Sequence, residues 1–568
     1  MRIFKIIVLV SYFLFIFSFS FTTSLDLNQD LGRHLKLGEI ISKTKQVPRT
    51  NLFSYTNPSF EFINHHWLSE VIFYQLKTHF GLNSLTYLKT ALIILSLAFV
   101  VKFSIDRAGF IPTILTALLF TPIIIERADI RPELFGYLLF SILLCIVLSF
   151  KKHSRLIYFV PLIMLLWINL HISFVFGVIL LLILLLKVFN RQHLLSPEFV
   201  CVFFGFAVLF LNPSGLKGMI YPFTIFQNYG YSIVENQNLF FLSRVISNPL
   251  IKYFFLLTPL VIIPLLVLIT KRRFVQVILL FLFFLLAVWQ IRHFPFFVLV
   301  EIPTVAMAIN NIVGNGLKSF PAWVKYASIV SIIGINIFLS ALFFSNRYYR
   351  TFDINKSFGA GFVEDAKPAA EFLLKNNSTI NIFNNFDIGG YLIYKLYPGY
   401  KLFVDNRPEA YPKEFFKKVY VQLQENPELR NKIFEKYKIN TVFFAYADQT
   451  PWAHQFIQTI LADNQWKLIY VDSTVIILSR QTVLSDLKIN QKYFQTLIDH
   501  ENNYLSLLRL AQFFNDIKKP DLLEKAFNKA QKINPSSCSI NKYIFLKQQN
   551  LPQFFGGDDI KNNNWWCF

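Results

Sequence analysis

The chain has 568 residues, of which 54% are hydrophobic and only 16% charged. This composition is typical of a multi-pass membrane protein. The net charge of +21 could suit a nucleic-acid partner, but no basic stripe interleaved with aromatic residues accompanies it. Nucleic acid is therefore not expected as a partner.

Apolar runs that could cross a membrane recur from the start of the chain to residue 345. A spanning helix needs roughly 17 to 25 apolar residues. The runs with this character number about eleven, and they cover 3–23, 88–106, 109–125, 131–150, 156–170, 172–189, 198–212, 251–270, 274–291, 294–312 and 326–345. No small-residue cleavage site follows the first run, which predicts an anchor rather than a cleaved signal.

The basic residues between these runs predict the orientation of the chain. They lie in alternate hinges: Arg2, Lys5, Lys102, Arg107, Lys151, Lys152, Arg155, Lys187, Arg191, Lys271, Arg272, Arg273, Lys318 and Lys325. Because cytoplasmic loops are enriched in Lys and Arg, this pattern predicts a cytoplasmic N-terminus. The unusual polar residues of the membrane half, and everything after residue 345, then lie on the outer face of the cytoplasmic membrane.

The first outer loop, residues 24–87, is much longer than a simple connection needs. Apolar residues at helical spacing predict a short helix over 30–41 that lies on the bilayer, followed by a second interfacial helix over 66–80. Asp30 and His34 are four residues apart and should share one face of the first helix.

Asp30 is the leading candidate for a catalytic carboxylate. Transfer of a group from a phosphate ester to a hydroxyl needs a base for the attacking hydroxyl, or a carboxylate that holds a divalent cation such as Mg²⁺ or Mn²⁺ against the phosphate leaving group. Asp26 is the alternative, and a helix-capping role fits both residues. His34 could orient Asp30, contact phosphate or be structural.

A second group of candidates caps the membrane runs on the same face. Arginine binds phosphate through a planar fork, so these residues predict a site for a donor phosphate, with snorkelling at the interface as the alternative. The candidates are Arg127, Arg131, His171, Arg292 and His293. Asn64, His65 and Glu70 are expected to support the first loop, because the spacing of His65, His66 and Glu70 is not that of a zinc helix. Glu301, inside a run, is expected to pair with Arg or Lys.

After residue 350 the pattern changes to alternating helices and strands. Residues 351–480 predict a small α/β domain with a helix over 368–375, and with short strands over 380–383, 402–405, 441–444, 468–471 and 475–477. Gly389 and Gly390 should allow a tight strand-to-helix turn. Residues 485–548 follow the spacing of one tetratricopeptide unit, which must pack on the α/β domain or on a partner protein. Residues 549–568 have no regular pattern and are expected to be disordered.

The loop also carries a motif. Asp30-Leu31, His34-Leu35, Gly38-Glu39, Val47-Pro48, Thr50-Asn51, Phe53-Ser54-Tyr55-Thr56, Asn64-His65, Trp67-Leu68 and Glu70 form a string that resembles the first outer loop of GT-C integral-membrane glycosyltransferases, in an uncharacterised bacterial branch. Later segments are similar as well: Arg131-Pro132, Trp167 to His171, Asn212 to Gly215, Arg292-His293, Gly389 to Leu392 and Asp405 to Arg407. The chain departs from the branch at Asn28, where an acid is common, and at Gly32-Arg33, where an aromatic pair is usual.

The resemblance implies a multi-pass helical membrane domain (1–347) followed by the α/β domain and the helical tail. It implies an inverting transfer of a sugar from a polyprenyl-phosphate carrier to a glycan, lipid or protein acceptor, with Asp30 as base or metal ligand and membrane lipids around the protein. Two alternatives stay open, namely a transporter or flippase that binds a lipid phosphate and a scaffold that recruits partners through its tail.

Overall fold

The computed structural model describes residues 2–24, 29–150, 155–189, 196–225, 229–231, 233–246, 248–313, 321–375, 381–446, 448, 450–480 and 489–548. Asp26 and Asn28, and the tail end 549–568, lie outside these residues.

Within this part of the chain, six helices are long and apolar enough to span a membrane: Ile3–Ser20, Ser84–Ala108, Phe110–Arg127, Pro249–Thr270, Ile291–Ile312 and Tyr326–Phe344. A pair bent by 91°, Pro197–Phe210 and Gly215–Thr224, would make a seventh span. Shorter apolar helices cover Glu133–Ser149, Arg155–Leu170, Phe174–Phe189 and Phe274–Trp289. The protein is a multi-pass membrane protein, and the count of about eleven spans stays a prediction.

The apolar helices, both the long and the shorter ones, pack around a core of aromatic and branched side chains that includes Phe140, Trp167 and Phe283. Small residues bring the helices close together. A side chain at Gly177 would lie 2.8 Å from the ring of Trp167, so glycine permits this contact.

Glu301 does not have the ionic partner that the sequence suggested. Its side chain is fully buried in the helix Phe294–Val313, and neither carboxylate oxygen has a hydrogen-bond partner among the described residues. No Lys or Arg of the described chain forms an ion pair with it, because the surrounding helices present mainly apolar side chains at this depth. The expectation of a basic partner was wrong.

Both helices predicted for the first loop are present, as Asp30–Thr44 and Trp67–Phe80, and their placement on the bilayer stays a prediction. They pack against each other at Gly38, where a side chain would meet the backbone oxygen of Glu70 at 2.0 Å. The glycine therefore sets the distance between the two helices, and this close packing brings side chains of the first helix against Glu70.

The α/β part of the chain forms a four-stranded sheet. Its strands are β1 (Asn381–Asn384), β2 (Ile439–Ala445), β3 (Lys467–Val471) and β4 (Val475–Ser479), in the order β1-β2-β4-β3. β1 and β2 are parallel and the other pairs are antiparallel. The predicted strand at 402–405 is absent as a strand, because Leu402 forms only single bridges, to Ser54 of the first loop and to Ile382 of β1. It joins the loop to the sheet.

Short helices cover the sheet and extend beyond it. They are Lys367–Lys375, Gly389–Leu396, Pro427–Lys436 and Pro451–Leu461, and then Gln491–His500, Tyr504–Asp516, Pro520–Ile533 and Cys538–Gln548. The last four form the tail, and Tyr504–Asp516 packs against Pro520–Ile533. The rings of Tyr446 and Phe513 lie 4.9 Å apart, and the tail shares one apolar core with the α/β part. The likeness to a tetratricopeptide unit stays a prediction.

Candidate functional site

Asp30 begins the first loop helix and is surrounded by groups that donate hydrogen bonds. Arg33, one turn later, places Nη2 at 3.2 Å from Oδ1, and Arg131 places Nη1 at 3.6 Å from Oδ2. Asn406, 376 positions later in the chain, donates a hydrogen bond from Nδ2 to Asp30 Oδ1 at 2.9 Å. The Asp30 side chain is 24% exposed, so a substrate group can still reach its carboxylate.

The three arginines predicted to bind phosphate converge on one carboxylate, that of Glu235. Arg127 Nη1 lies 2.8 Å and Arg131 Nη1 2.7 Å from Oε1, and Arg292 Nη2 lies 3.5 Å from Oε2. Glu235 lies on the short 3-10 turn Val234–Asn236. Because Arg131 contacts both Glu235 and Asp30, the guanidinium cluster adjoins the candidate catalytic carboxylate.

The guanidinium cluster is held together by ion pairs with carboxylates. Arg127 also binds Glu133, with Nε and Nη2 at 3.0 and 2.6 Å from Oε1. Burial alone would raise the pKa of Glu235, but Arg127, Arg131 and Arg292 outweigh it and hold that pKa well below its usual range. Glu235 is therefore ionised at neutral pH, and the cluster is built around an anion.

A group of imidazoles lies further along the first loop helix. His34 Nδ1 is 2.9 Å from Glu70 Oε1, and Asn64 donates Nδ2 to Glu70 Oε2 at 2.6 Å. The His66 ring lies 5.2 Å from that of His34 and 5.2 Å from that of His171. His34 thus contacts Glu70 rather than Asp30, because the second loop helix lies against its face.

Burial sets the protonation of this group. It lowers the pKa of His34 well below its usual value and lowers those of His65 and His171 to about 3. It raises the pKa of Glu70 to about 7, against the opposing hydrogen bond from Asn64. Neutral imidazoles next to a carboxylate are typical zinc ligands. His34, His66 and Glu70 each offer one ligand atom, all within 4.8 Å of one another, so the donor set fits a divalent cation.

A buried ion pair fixes the α/β part against the first loop. Arg407 donates Nε to Asp405 Oδ1 at 2.7 Å and Nη2 to Asn51 at 2.7 Å. Its guanidinium lies 4.9 Å from the rings of both Phe53 and Phe62. The turn between Asp405 and Arg407 is therefore salt-bridged, and it holds Asn406 towards Asp30.

Asp387 adds a further carboxylate from the α/β part. It follows β1, and its pKa is raised to about 7 by burial and then by the neighbouring charges of Asp448, Asp30 and Glu235. Its side chain keeps accessible surface although protein surrounds it on most sides. Asp387 therefore lies close enough to Asp30 and Glu235 for their charges to act on its carboxyl group.

The other candidates form their hydrogen bonds outside the guanidinium cluster, although the charges of Arg127 and Arg292 act on both His171 and His293. His293 Nδ1 bonds to the backbone oxygen of Leu286 at 2.8 Å, and its ring packs on Phe176. His171 bonds to Ser173 and stacks on His66. His65 Nδ1 bonds to the backbone oxygen of Ile63 at 3.2 Å. The described hydrogen bonds and ion pairs of His171 and His293 are thus local and include none of the three arginines.

Sequence reasoning missed Glu235 and Glu133, and it did not connect Asn406 to Asp30. Glu235 lies in a loop without a regular pattern, where a lone Glu gives no signal. Glu133 begins a helix after Arg131-Pro132 and reads as an ordinary acidic residue of a first turn. Asn406 belongs to a segment already singled out, but its contact spans 376 positions of the chain.

No family profile and no curated protein matches the sequence. Solved structures resemble the fold. The oligosaccharyltransferase AglB of Archaeoglobus fulgidus, in complex with an inhibitory peptide and a dolichol-phosphate, has a TM-score of 0.53 and 11% identity over 96% of this chain and 86% of its own. The same enzyme in complex with Zn and sulfate has a TM-score of 0.54 and 12% identity over 92% and 85%.

ArnT of Cupriavidus metallidurans bound to undecaprenyl phosphate gives a TM-score of 0.49 at 11% identity, over 86% of this chain and 99% of its own. A helical membrane domain followed by an α/β part that meets it at one polar site defines the architecture. The AglB comparisons identify this architecture: the protein has the fold of the GT-C glycosyltransferases.

Proposed function

We propose that the protein is a membrane glycosyltransferase that moves a sugar from a polyprenyl-phosphate-linked donor to an acceptor on the outer face of the cytoplasmic membrane. The observation that carries this proposal is the arrangement around Arg131, which contacts Asp30 on one side and the carboxylate of Glu235 on the other. A base for an acceptor and a cluster for a phosphate leaving group thus lie side by side. The GT-C fold is consistent with this chemistry.

In the proposed reaction Asp30 accepts the proton of an acceptor hydroxyl as its oxygen attacks the anomeric carbon of the donor. The bond between that carbon and the phosphate oxygen breaks, and the polyprenyl phosphate leaves with the electron pair. Arg127, Arg131 and Arg292 neutralise the charge that develops on the phosphate. Attack from the face opposite the leaving group inverts the anomeric centre.

A divalent cation fits one part of this site. Asp30 is surrounded by the guanidinium groups of Arg33 and Arg131 and by the amide of Asn406, and the two positive charges disfavour Mg²⁺ or Mn²⁺ there. We propose instead that His34, His66 and Glu70 would hold a cation of the zinc type, since their donor set is imidazole and carboxylate. When bound, such an ion would supply a Lewis-acid centre and fix the two loop helices against each other.

The basic hinges support a topology with a cytoplasmic N-terminus and the α/β part outside. The proposed reaction requires a polyprenyl carrier whose phosphate lies at that membrane surface. The tail packs on the α/β part, and the proposal assigns it no catalytic role.

The test is the replacement Asp30→Asn in the full chain, expressed in its own host beside a deletion strain. We expect loss of the transferred sugar, seen by profiling of lipid-linked and envelope glycans, with normal insertion and abundance. Glu39→Gln is a matched control, because Glu39 lies on the same helix and pairs only with Lys36 and Lys43 among the described ion pairs. Unchanged glycans in the deletion strain would overturn the proposal, and activity that survives Asp30→Asn would remove Asp30 as base.

A further inference from the structure

The guanidinium cluster offers more hydrogen-bond donors and positive charge than a single carboxylate can satisfy. Three arginines meet the two oxygens and single charge of Glu235. Arg292 is the least satisfied of them, since its contact with Glu235 is 3.5 Å long and its buried Nε has no hydrogen-bond partner among the described residues. The carrier phosphate becomes a terminal phosphate once the sugar has left, and it then presents three oxygens and up to two charges. This group would satisfy the three arginines better than a carboxylate does.

We propose that Glu235 occupies the position of the carrier's terminal phosphate in the ligand-free protein and gives it up when that phosphate binds. The inference rests on the proposed function and adds a residue to it: the phosphate site is filled by the chain's own anion until a phosphate replaces it. The bound phosphate contacts Arg127, Arg131 and Arg292 where the carboxylate now lies.

The position of Glu235 makes this exchange feasible. It lies in a 3-10 turn of three residues, Val234–Asn236. Gln290 of the membrane part donates a long hydrogen bond of 3.4 Å from Nε2 to the backbone oxygen of the neighbouring Asn236. The Glu235 side chain is 23% exposed, so its carboxylate can turn into solvent. Arg127 keeps its second anion, Glu133, when Glu235 leaves.

Mutation of Glu235 should therefore raise the affinity for phosphate, whereas mutation of an ordinary binding residue lowers it. Glu235→Gln keeps the shape of the side chain but removes the charge that competes with phosphate. We expect the full-length Glu235→Gln protein, purified in lipid nanodiscs, to bind undecaprenyl phosphate about tenfold more tightly than the unmodified protein. Arg292→Ala should weaken the same binding about tenfold or more.

The matched control is Glu126→Gln. Glu126 lies beside Arg127 in the chain, but its carboxylate accepts a hydrogen bond from Asn248 at 2.7 Å and forms no described ion pair with the three arginines. It changes the net charge by the same amount, and we expect the affinity to stay within twofold. A Glu126→Gln protein that binds as tightly as Glu235→Gln would overturn the inference, because general electrostatics would then explain the gain.

Unchanged or weaker binding by Glu235→Gln would also overturn it. If the variant folds only with undecaprenyl phosphate present, the inference is supported, whereas failure to fold in both conditions overturns it, because the carboxylate would then be purely structural. Inorganic pyrophosphate forms a second arm of the experiment. Tighter binding of both ligands assigns the site to the phosphate group itself, and tighter binding of the lipid alone assigns it to a lipid-linked phosphate.

This assay requires no sugar transfer. A tighter-binding Glu235→Gln protein that transfers no sugar would leave the phosphate exchange intact and remove the proposed function. Normal sugar transfer by a Glu235→Gln protein that binds no more tightly would leave the proposed function intact and remove the phosphate exchange.

Discussion

Asn406 donates a hydrogen bond of 2.9 Å to Asp30, and so a turn in the α/β part touches the first carboxylate of the membrane loop. The membrane domain therefore does not complete its candidate site alone. Asn406 is held in place by its neighbours Asp405 and Arg407, which are both fully buried. The α/β part thus positions the carboxylate as well as covering the site.

Replacement of Asn406 should reduce turnover. Asn406→Asp puts a second carboxylate against Asp30, and Asn406→Ala removes a hydrogen bond to a charged group, which is worth about 1.5–3 kcal/mol, or roughly ten- to a hundredfold in rate. We expect kcat to fall by this factor in a transfer assay with little change in the KM of the donor. Asn426→Ala is the control, because Asn426 caps the helix Pro427–Lys436 away from the site. A rise in KM, or a fall in kcat that only matches the loss of folded protein, would indicate a structural role only.

Glycine at position 390 is required by the same contact. An alanine Cβ there would lie 1.8 Å from the backbone oxygen of Gln29 and 2.9 Å from Asn406 Nδ2. We expect Gly390→Ala to push the helix Gly389–Leu396 away from the first loop and to lower activity as strongly as Asn406→Ala. Gly334→Ala should have no effect, because nothing lies within 4 Å of its Cβ position. Full activity in Gly390→Ala would mean that the two parts can separate without cost.

This glycine shows what the sequence could and could not predict. The Gly389-Gly390 pair was expected to permit a tight strand-to-helix turn, yet neither residue has a positive φ. Both lie at the start of a helix and are needed because other parts of the chain approach them. Local pattern predicted the two loop helices and four of the five expected strands, since hydrophobic spacing is a local property. A contact such as that of Asn406 depends on the folded chain.

The arginines illustrate the same limit. Charge bias along the chain predicted that Arg127, Arg131 and Arg292 share one face, because orientation in the membrane follows from local charge. Their common partner Glu235 could not be predicted, since nothing in a loop sequence tells which carboxylate turns inwards. His34 was placed with Asp30 by helical spacing, but packing of the second loop helix directs it to Glu70.

Arg407 should contribute strongly to stability. Its ion pair with Asp405 is fully buried, and Arg407→Ala would leave an unpaired buried carboxylate, which costs about 3–5 kcal/mol. Arg407→Lys should not restore the loss, because a lysine cannot make the two-pronged contact with Asp405 and Asn51. Thermal unfolding of the purified protein measures the effect. Lys418→Ala, which breaks an exposed pair with Glu414, should leave the unfolding temperature unchanged.

The contact between the tail and the α/β part should depend on pH. His454 Nδ1 lies 3.0 Å from Asp516 Oδ2, and this hydrogen bond raises the pKa of His454 against the effect of burial. A raised histidine pKa gives stability that is fully present below the unfolded pKa of about 6.5 and is lost as the pH rises through the folded pKa. Amide exchange of the helix Tyr504–Asp516 should therefore be slower at pH 6 than at pH 8, after correction for the intrinsic rate. Asp516→Asn should remove this difference, because without the carboxylate the imidazole loses the partner that favours its protonated form. A pH dependence that persists in Asp516→Asn would place the titrating group elsewhere.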